Sequence, residues 1–288
     1  MSDYRIYTDS ACDLSPKILE EWGVSCCSLT FRFEKEVGVY ANNDMSAQDF
    51  YAKMKKGGIA KTAAVNSEEF KTSFEKSLED GYDVIYIGFS SGLSTTYNSA
   101  RIAAEELSEK YPDRKIITVD SLCASAGLGL FVYLAVTKKR EGFSISSLAD
   151  YLRDNVKNLC HWFTVDDLVY LKRGGRINPA TAFVGNLLGI KPVLHMDDEG
   201  HLINMTKVRG RRNAIAALAD KYGELAICKE SELVFISQAD CMSDANTLSD
   251  MLSERYGARV QIITDVGPVI GAHSGPGTLA LFFLGKAR

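Results

Sequence analysis

The sequence predicts an α/β protein of two units: a parallel-sheet N-terminal domain over residues 1–160, allowed to be discontinuous, and a mixed-sheet C-terminal domain over residues 161–288. Three observations predict it. Short apolar runs of buried-strand type at Tyr4–Thr8, Val84–Ile87 and Lys115–Val119 alternate with helical stretches. These runs end alike, in Thr8-Asp9-Ser10, Phe89-Ser90-Ser91 and Val119-Asp120-Ser121. In a parallel sheet such ends share the edge where open α/β folds bind ligands, although each also suits the cap of a following helix. The third observation is a hairpin pattern, Lys191–Met196, the turn Asp197-Asp198-Glu199-Gly200, then Leu202–Val208, which demands an antiparallel pair.

Taken in order, Ser15-Pro16 opens a helix that closes near Gly23, since Ser caps and Pro suits the first helical position. Val24–Phe33 reads as one apolar strand segment, and Glu34–Asn43 as a polar excursion with a small hairpin. Ser46-Ala47-Gln48-Asp49 resembles a capping box for a helix through Lys55, ended by Gly57-Gly58. Lys61–Asn66 is an extended connector. The next helix starts at Ser67 and carries Phe70, Phe74 and Leu78 as one stripe, with Gly81 at its end. After Val84–Ile87 come the small residues Gly88–Thr96 and a helix over Tyr97–Leu107. Strand, small polar loop and helix together gather unpaired N–H groups and hydroxyls at a helix N-terminus, a place that attracts an anion. No Lys follows the glycine, so this is no nucleotide P-loop, and a carboxylate or small phosphate fits better.

A nearly uncharged helix is expected over Ala124–Lys138, too short and glycine-bearing for a membrane span. Further helices are expected over Ser144–Leu159, Thr164–Leu171 and Pro179–Leu188. Beyond the hairpin, a helix through Tyr222, a strand at Leu233–Ser237, a helix at Ser243–Tyr256 and a strand at Arg259–Thr264 follow. Gly267–Gly277 reads as a turn-rich loop before a final strand, Thr278–Leu284.

A net charge of −4 gives no support to nucleic-acid binding. Met1–Asp13 is polar and soon acidic, so no secretion signal is expected; with seven cysteines and no C-x-x-C pair, reduced, buried, inert thiols in a cytoplasm are the reading. The four histidines (161, 195, 201 and 273) show no metal-ligand spacing. Gly88-Phe89-Ser90-Ser91-Gly92 matches the nucleophile elbow of serine hydrolases, with Ser90 as nucleophile, Asp240 or Asp265 as acid and His273 as base. No oxyanion loop precedes it, and so short a pattern is weak. His273 otherwise reads as an anion donor or as a histidine bonded to a carbonyl. Lys172-Arg173-Gly174-Gly175-Arg176 is either a solvated helix end or a loop that folds one arginine inward. Arg209, Arg211 and Arg212 form a solvated basic loop or a docking patch for an acidic partner surface.

Four motifs in register resemble the DegV family: Tyr7-Thr8-Asp9-Ser10, Ser90-Ser91-Gly92-Leu93-Ser94-Thr95-Thr96-Tyr97, Leu171–Ile177 and Gly267–Gly277. The resemblance spans essentially the whole chain. It implies a bacterial cytoplasmic fatty-acid-binding protein, not itself an enzyme, with the lipid in a tunnel between two α/β domains. It implies a partner fatty acid kinase that phosphorylates the bound carboxylate with ATP, feeding acyl phosphate to phospholipid synthesis. The binding protein then needs no cofactor or metal of its own and no integral membrane segment. Carried over by position, the carboxylate meets Thr62 and Ser94, with His273 and Arg176 nearby; Ser91, Thr95 and Arg173 are near-site candidates. The family commonly has T-S-x-P-S where this chain has Thr62-Ala63-Ala64-Val65-Asn66, so the threonine is kept and the loop shape departs. Expected tunnel residues are Ile87, Phe89, Leu122, Leu128, Phe131, Phe183, Leu187, Leu188, Ile190 and Phe282. A small-carboxylate carrier is the further alternative, and it needs no tunnel.

Overall fold

A computed structural model of the chain describes residues 3–177, 189–230 and 233–288. The first half opens with β1 (Tyr4–Asp9), α1 (Pro16–Trp22), β2 (Val24–Cys27), β3 (Thr30–Phe33), β4 (Tyr40–Ala41), α2 (Ala47–Lys55) and β5 (Ala60–Ala63). It continues with α3 (Ser67–Glu79), β6 (Asp83–Gly88), α4 (Thr96–Lys110), β7 (Ile116–Asp120), α5 (Ala126–Arg140) and α6 (Ile145–Asn155). The strands β2-β1-β6-β7 form a parallel sheet, while β4-β3-β5 form a small antiparallel one.

The second half holds β8 (Leu159–Thr164), α7 (Val169–Arg173), β9 (Ile190–Met196), β10 (Leu202–Arg209) and α8 (Arg211–Leu225). It ends with β11 (Val234–Gln238), α9 (Met242–Tyr256), β12 (Val260–Asp265), α10 (Pro268–Ser274) and β13 (Leu279–Leu284). Its mixed sheet runs β10-β9-β8-β13-β11-β12, with only β11–β12 parallel among the described strands. The described sheets share no strand, and β8 (Leu159–Thr164) belongs wholly to the second, so we propose the domain boundary just before it.

The two faces of the mixed sheet explain the middle of the chain. Cys160, Trp162, Leu281 and Phe283 face a core built on α8 and α9. The alternate residues Phe163, Ala280 and Phe282 join the core of the parallel sheet instead. Helix α5 packs between the sheets, against β1 and β6 on one side and β8, β11 and β13 on the other. A helix covered on both sides must be apolar all round, which is why the run between Asp120 and Lys138 holds no charge. Gly127 lets the helix approach: a Cβ there would sit 2.7 Å from the Phe282 ring.

Several expectations are corrected. Val24–Phe33 is two strands in different sheets, because Ser10 Oγ accepts the Leu29 amide (2.9 Å) and turns the chain at Ser28–Leu29. The connector at Lys61–Asn66 includes part of β5, held by pairing of Thr62 with Phe31. The helix expected to reach Leu159 stops at Asn155, and β8 takes over as a central strand with β13 and β9 as neighbours. The helix expected over Thr164–Leu171 forms only at Val169–Arg173. Gly267–Gly277 contains α10, whose free first amides are accepted by Asp13 Oδ1 (Gly267 N, 3.0 Å) and Asn42 Oδ1 (Val269 N, 2.9 Å). Cys26 and Cys228 are exposed, contrary to the expectation of seven buried thiols. The expected helix at Pro179–Leu188 lies outside the described residues.

Gly127→Val, which drives a branched side chain into Phe282, is expected to destabilise the protein by about 1–3 kcal/mol, read as a lower urea midpoint at unchanged slope.

Candidate functional site

The carboxyl ends of β1, β6 and β7 meet as the sequence requires. Asp9 ties two of them together: Tyr86 Oη and Phe89 N both donate to Asp9 Oδ2, at 2.6 and 2.9 Å. Asp120 accepts from Ser91 N at 3.3 Å and Leu122 N at 3.0 Å. These bonds fix the loop Phe89–Thr95, which borders a cavity of about 550 Å³, within the range of small-ligand sites. Gly92 admits the β9–β10 turn, since a Cβ there would meet the Gly200 carbonyl oxygen at 2.7 Å.

One end of the cavity is polar. Thr62 on β5, Ser91, Ser94 and Thr95 on the loop, Arg176 after α7 and His273 on α10 all line it. Thr62 Oγ1 lies 2.8 Å from His273 Nε2. Burial, and then the nearby Arg176 charge, push the His273 imidazole down to about 4, so the ring is neutral at pH 7. With the ring proton assigned to Nε2, His273 donates to Thr62 Oγ1 and turns the threonine hydrogen toward the cavity. Ser94 Oγ accepts from Thr96 N at 3.2 Å and lies 2.9 Å from Thr96 Oγ1. When Thr96 donates, the Ser94 hydrogen is left for a ligand.

Arg176 is half-buried. Its guanidinium donates to the carbonyls of Leu93 (3.1 Å from Nε) and Gly174. Among the described residues no carboxylate lies within ion-pair distance of it. Desolvation works against this charge and pushes its pKa down. A half-buried cation lacking an anion, beside two hydroxyls, is a site for a small anionic group.

Beyond the polar end the walls are mostly apolar, with Leu29, Phe89, Phe163, Leu171, Leu202 and Val269 among them. Of the expected tunnel residues that are described, only Phe89 is on this wall; Ile87, Leu128, Phe131 and Phe282 are buried core, and Leu122 and Ile190 are off the wall. Phe183, Leu187 and Leu188 lie outside the described residues. Residue type could not separate core from wall, because both are apolar. Arg173 is exposed and stacks on Tyr170 at 5.7 Å, so it is not brought to the site. Arg211 is no free docking charge: Asp244 holds it at 2.8 Å, with Asp166 at 3.7 Å, and only Arg209 and Arg212 face solvent. Asn66, which replaces the last serine of the family pattern, caps α3 with a reciprocal Glu69 partner, both bonds 2.9 Å.

The hydrolase arrangement does not form. Ser90 is fully buried, and its hydroxyl donates to the Gly200 carbonyl (2.8 Å). His273 is engaged with Thr62, Asp240 with Lys55, and Asp265 with Gln238. The sequence reading also missed His161, Ser125 and Ser237 on the cavity wall. The signal for His161 was there: Leu159–Thr164 is a short run rich in aromatics, the composition of a buried strand.

Two sheet units thus border a cavity whose hydroxyls, histidine and arginine gather at one end and whose remaining wall is mostly apolar. The sequence profile of the DegV family, described as uncharacterised proteins, matches residues 3–286, and the chain belongs to that family. A DegV domain-containing protein of Clostridium perfringens is 39% identical over 289 residues, covering 100% of this chain and 99% of the relative. A DegV lipid-binding protein from Thermotoga maritima superposes with a TM-score of 0.87 at 30% identity, covering 99% of both chains. A DegV family protein from Thermus thermophilus, described as binding fatty acid, has a TM-score of 0.87 at 27% identity and covers 98% of this chain and 99% of its own. DegV of Bacillus subtilis, a fatty acid binding protein, has a TM-score of 0.82 at 27% identity over 99% and 100% of the two chains.

An unfolded imidazole takes its proton near 6.5, whereas folded His273 takes it only near 4. Stability is therefore lost as pH falls through that window. Relative to wild type, His273→Gln is expected to gain about 2 kcal/mol between roughly pH 7 and pH 4.5, by urea titration at each pH. A constant difference contradicts the neutral imidazole.

Proposed function

We propose that this chain binds one long-chain fatty acid, with the carboxylate against Thr62, Ser94 and Arg176 and the tail along the apolar wall. The observation that carries this reading is the Arg176 guanidinium, half-buried beside two hydroxyls at one end of a mostly apolar cavity. His273 acts through Thr62, orienting its hydroxyl. Ser91 and Thr95 contribute further polar surface at the same end. The tail supplies most of the attraction: at about 0.8 kcal/mol per CH₂, a sixteen-carbon chain gains on the order of 12 kcal/mol gross. Ordering the chain and losing free translation offset a large part of that. The head group selects and orients.

In the same reading the protein is a carrier and not an enzyme. It presents the acid to a fatty acid kinase in the bacterial cytoplasm, which supplies ATP and forms the acyl phosphate used for phospholipid synthesis. Arg209 and Arg212 form the docking patch for the kinase. Among the described residues no helix is long and apolar enough to cross a membrane. Reversing both charges is expected to abolish coupling to the kinase while lipid binding persists, in a reconstituted phosphorylation assay; unchanged coupling removes the patch.

Solvent extraction of the purified protein, followed by mass spectrometry, is expected to return near-stoichiometric fatty acid. The Thr62→Ala/Ser94→Ala double variant is expected to bind fatty acid at least about a hundredfold more weakly, two hydrogen bonds to a charged group, each worth about 1.5 kcal/mol or more, being lost, and so to retain far less after the same wash. Unchanged retention removes the head-group assignment. An empty extract, with no uptake of added fatty acids, sinks the lipid reading.

A further inference from the structure

The cavity carries a polar group far from its anion-accepting end. His161 lines it from β8 and is 4% exposed. Its ring packs against those of Phe282 and Phe163, with centroids 4.6 and 5.5 Å away. Burial, with smaller contributions from His195 and Arg288, holds the imidazole well below its usual range, so it is neutral. A neutral imidazole carries one N–H and one lone pair, and both want partners. His161 Nδ1 is buried without one. Buried polar atoms are nearly always satisfied, and His161 is a lining residue, so the unmet capacity of its ring points to a group that enters the cavity.

The strand register gives its depth. His161 stands opposite Phe282, four residues beyond Thr278, the wall residue that follows α10 and its His273. At about 3.3 Å per residue His161 lies on the order of 13 Å along the strand from Thr278, and at about 4.8 Å per strand it lies on the order of 14 Å across the sheet from Ile177, the neighbour of Arg176 that bridges Leu202. Two further lining atoms without partners, His273 Nδ1 and Ser274 Oγ, belong to α10 at the anion-accepting end, whereas Ser125 Oγ lies 2.8 Å from Ser237 Oγ and donates to buried Asp13. Ser237 stands opposite Ala280, which pairs with Phe163, so it is two strands away from β8. His161 is thus the wall side chain in mid-cavity with capacity to spare.

We propose that His161 makes the cavity selective for a fatty acid carrying a hydroxyl in mid-chain, bonded to the imidazole. The inference rests on the fatty-acid reading above and names its substrate class. A hydroxyl donates and accepts, so it matches either ring tautomer, whereas a plain methylene leaves the imidazole unpaired. A hydroxyl near the carboxylate or at the tail terminus misses it.

The test is competition binding on delipidated full-length protein, with stearate against stearates hydroxylated at mid-chain and at the terminal carbon. Wild type is expected to prefer the mid-chain hydroxyl by about tenfold over both others. His161→Phe keeps an aromatic ring and is expected to abolish that preference while still binding stearate; His161→Gln is expected to retain part of it. Equal affinity of wild type for stearate and every hydroxylated chain overturns the proposal and leaves the fatty-acid reading intact. The same preference persisting in His161→Phe also overturns it. Failure of wild type to bind any of the acids overturns the proposal together with the reading it rests on.

Discussion

Arg176 is a cation half-withdrawn from water with no carboxylate partner among the described residues, and the site is built around that imbalance. Two backbone carbonyls hold its guanidinium in place but do not neutralise it. Its neighbours are matched to the deficit. His273 is kept neutral, so it adds no second positive charge, and its bond to Thr62 spends the ring on orientation. Gly174 belongs to the same arrangement, because a Cβ there would fall 2.2 Å from His273 Nδ1. In the proposed reading, the anion that completes this set brings its own apolar body, which suits the mostly apolar walls beyond.

The placement of these groups depends on bonds between distant parts of the chain. Asp13 accepts from Gly267 N (3.0 Å) and from Ser125, while its carbonyl accepts from Thr264 Oγ1 (2.7 Å). Asn42 Oδ1 takes the Val269 amide, and Tyr51 Oη donates to the Val266 carbonyl at 2.7 Å. The start of α10, and hence His273, is set by side chains more than two hundred residues earlier in sequence. Burial pushes the Asp13 carboxyl up to about 7 and the Asp9 carboxyl up to about 6, against the pull of their hydrogen bonds. Both carboxyls are interior fasteners of the framework around the cavity.

That dependence separates what the sequence made legible from what it hid. The parallel sheet and its shared polar edge were readable because each strand, cap and turn is specified locally: Ser15 before Pro16, Gly81 after α3, the small residues after Ile87. The polar end of the cavity was readable residue by residue through family resemblance, and the structure brings Thr62, Ser94, Arg176 and His273 to one cavity wall. Helix α10 was hidden because its capping partners are Asp13 and Asn42. Strand β8 was hidden because an apolar six-residue run beside a helix continues the helical pattern as well as it starts a strand. Arg211 looked free only because Asp166 and Asp244 are remote from it in sequence.

The most direct test of the central claim compares hexadecanoate with hexadecanol, which share a tail and differ in head-group charge, in wild type and in Arg176→Met. Wild type is expected to favour the acid by at least tenfold, and the variant to lose most of that preference while binding the alcohol as before. A preference for the acid of the same size in both proteins would contradict the account, because the carboxylate would then be answering to some other charge.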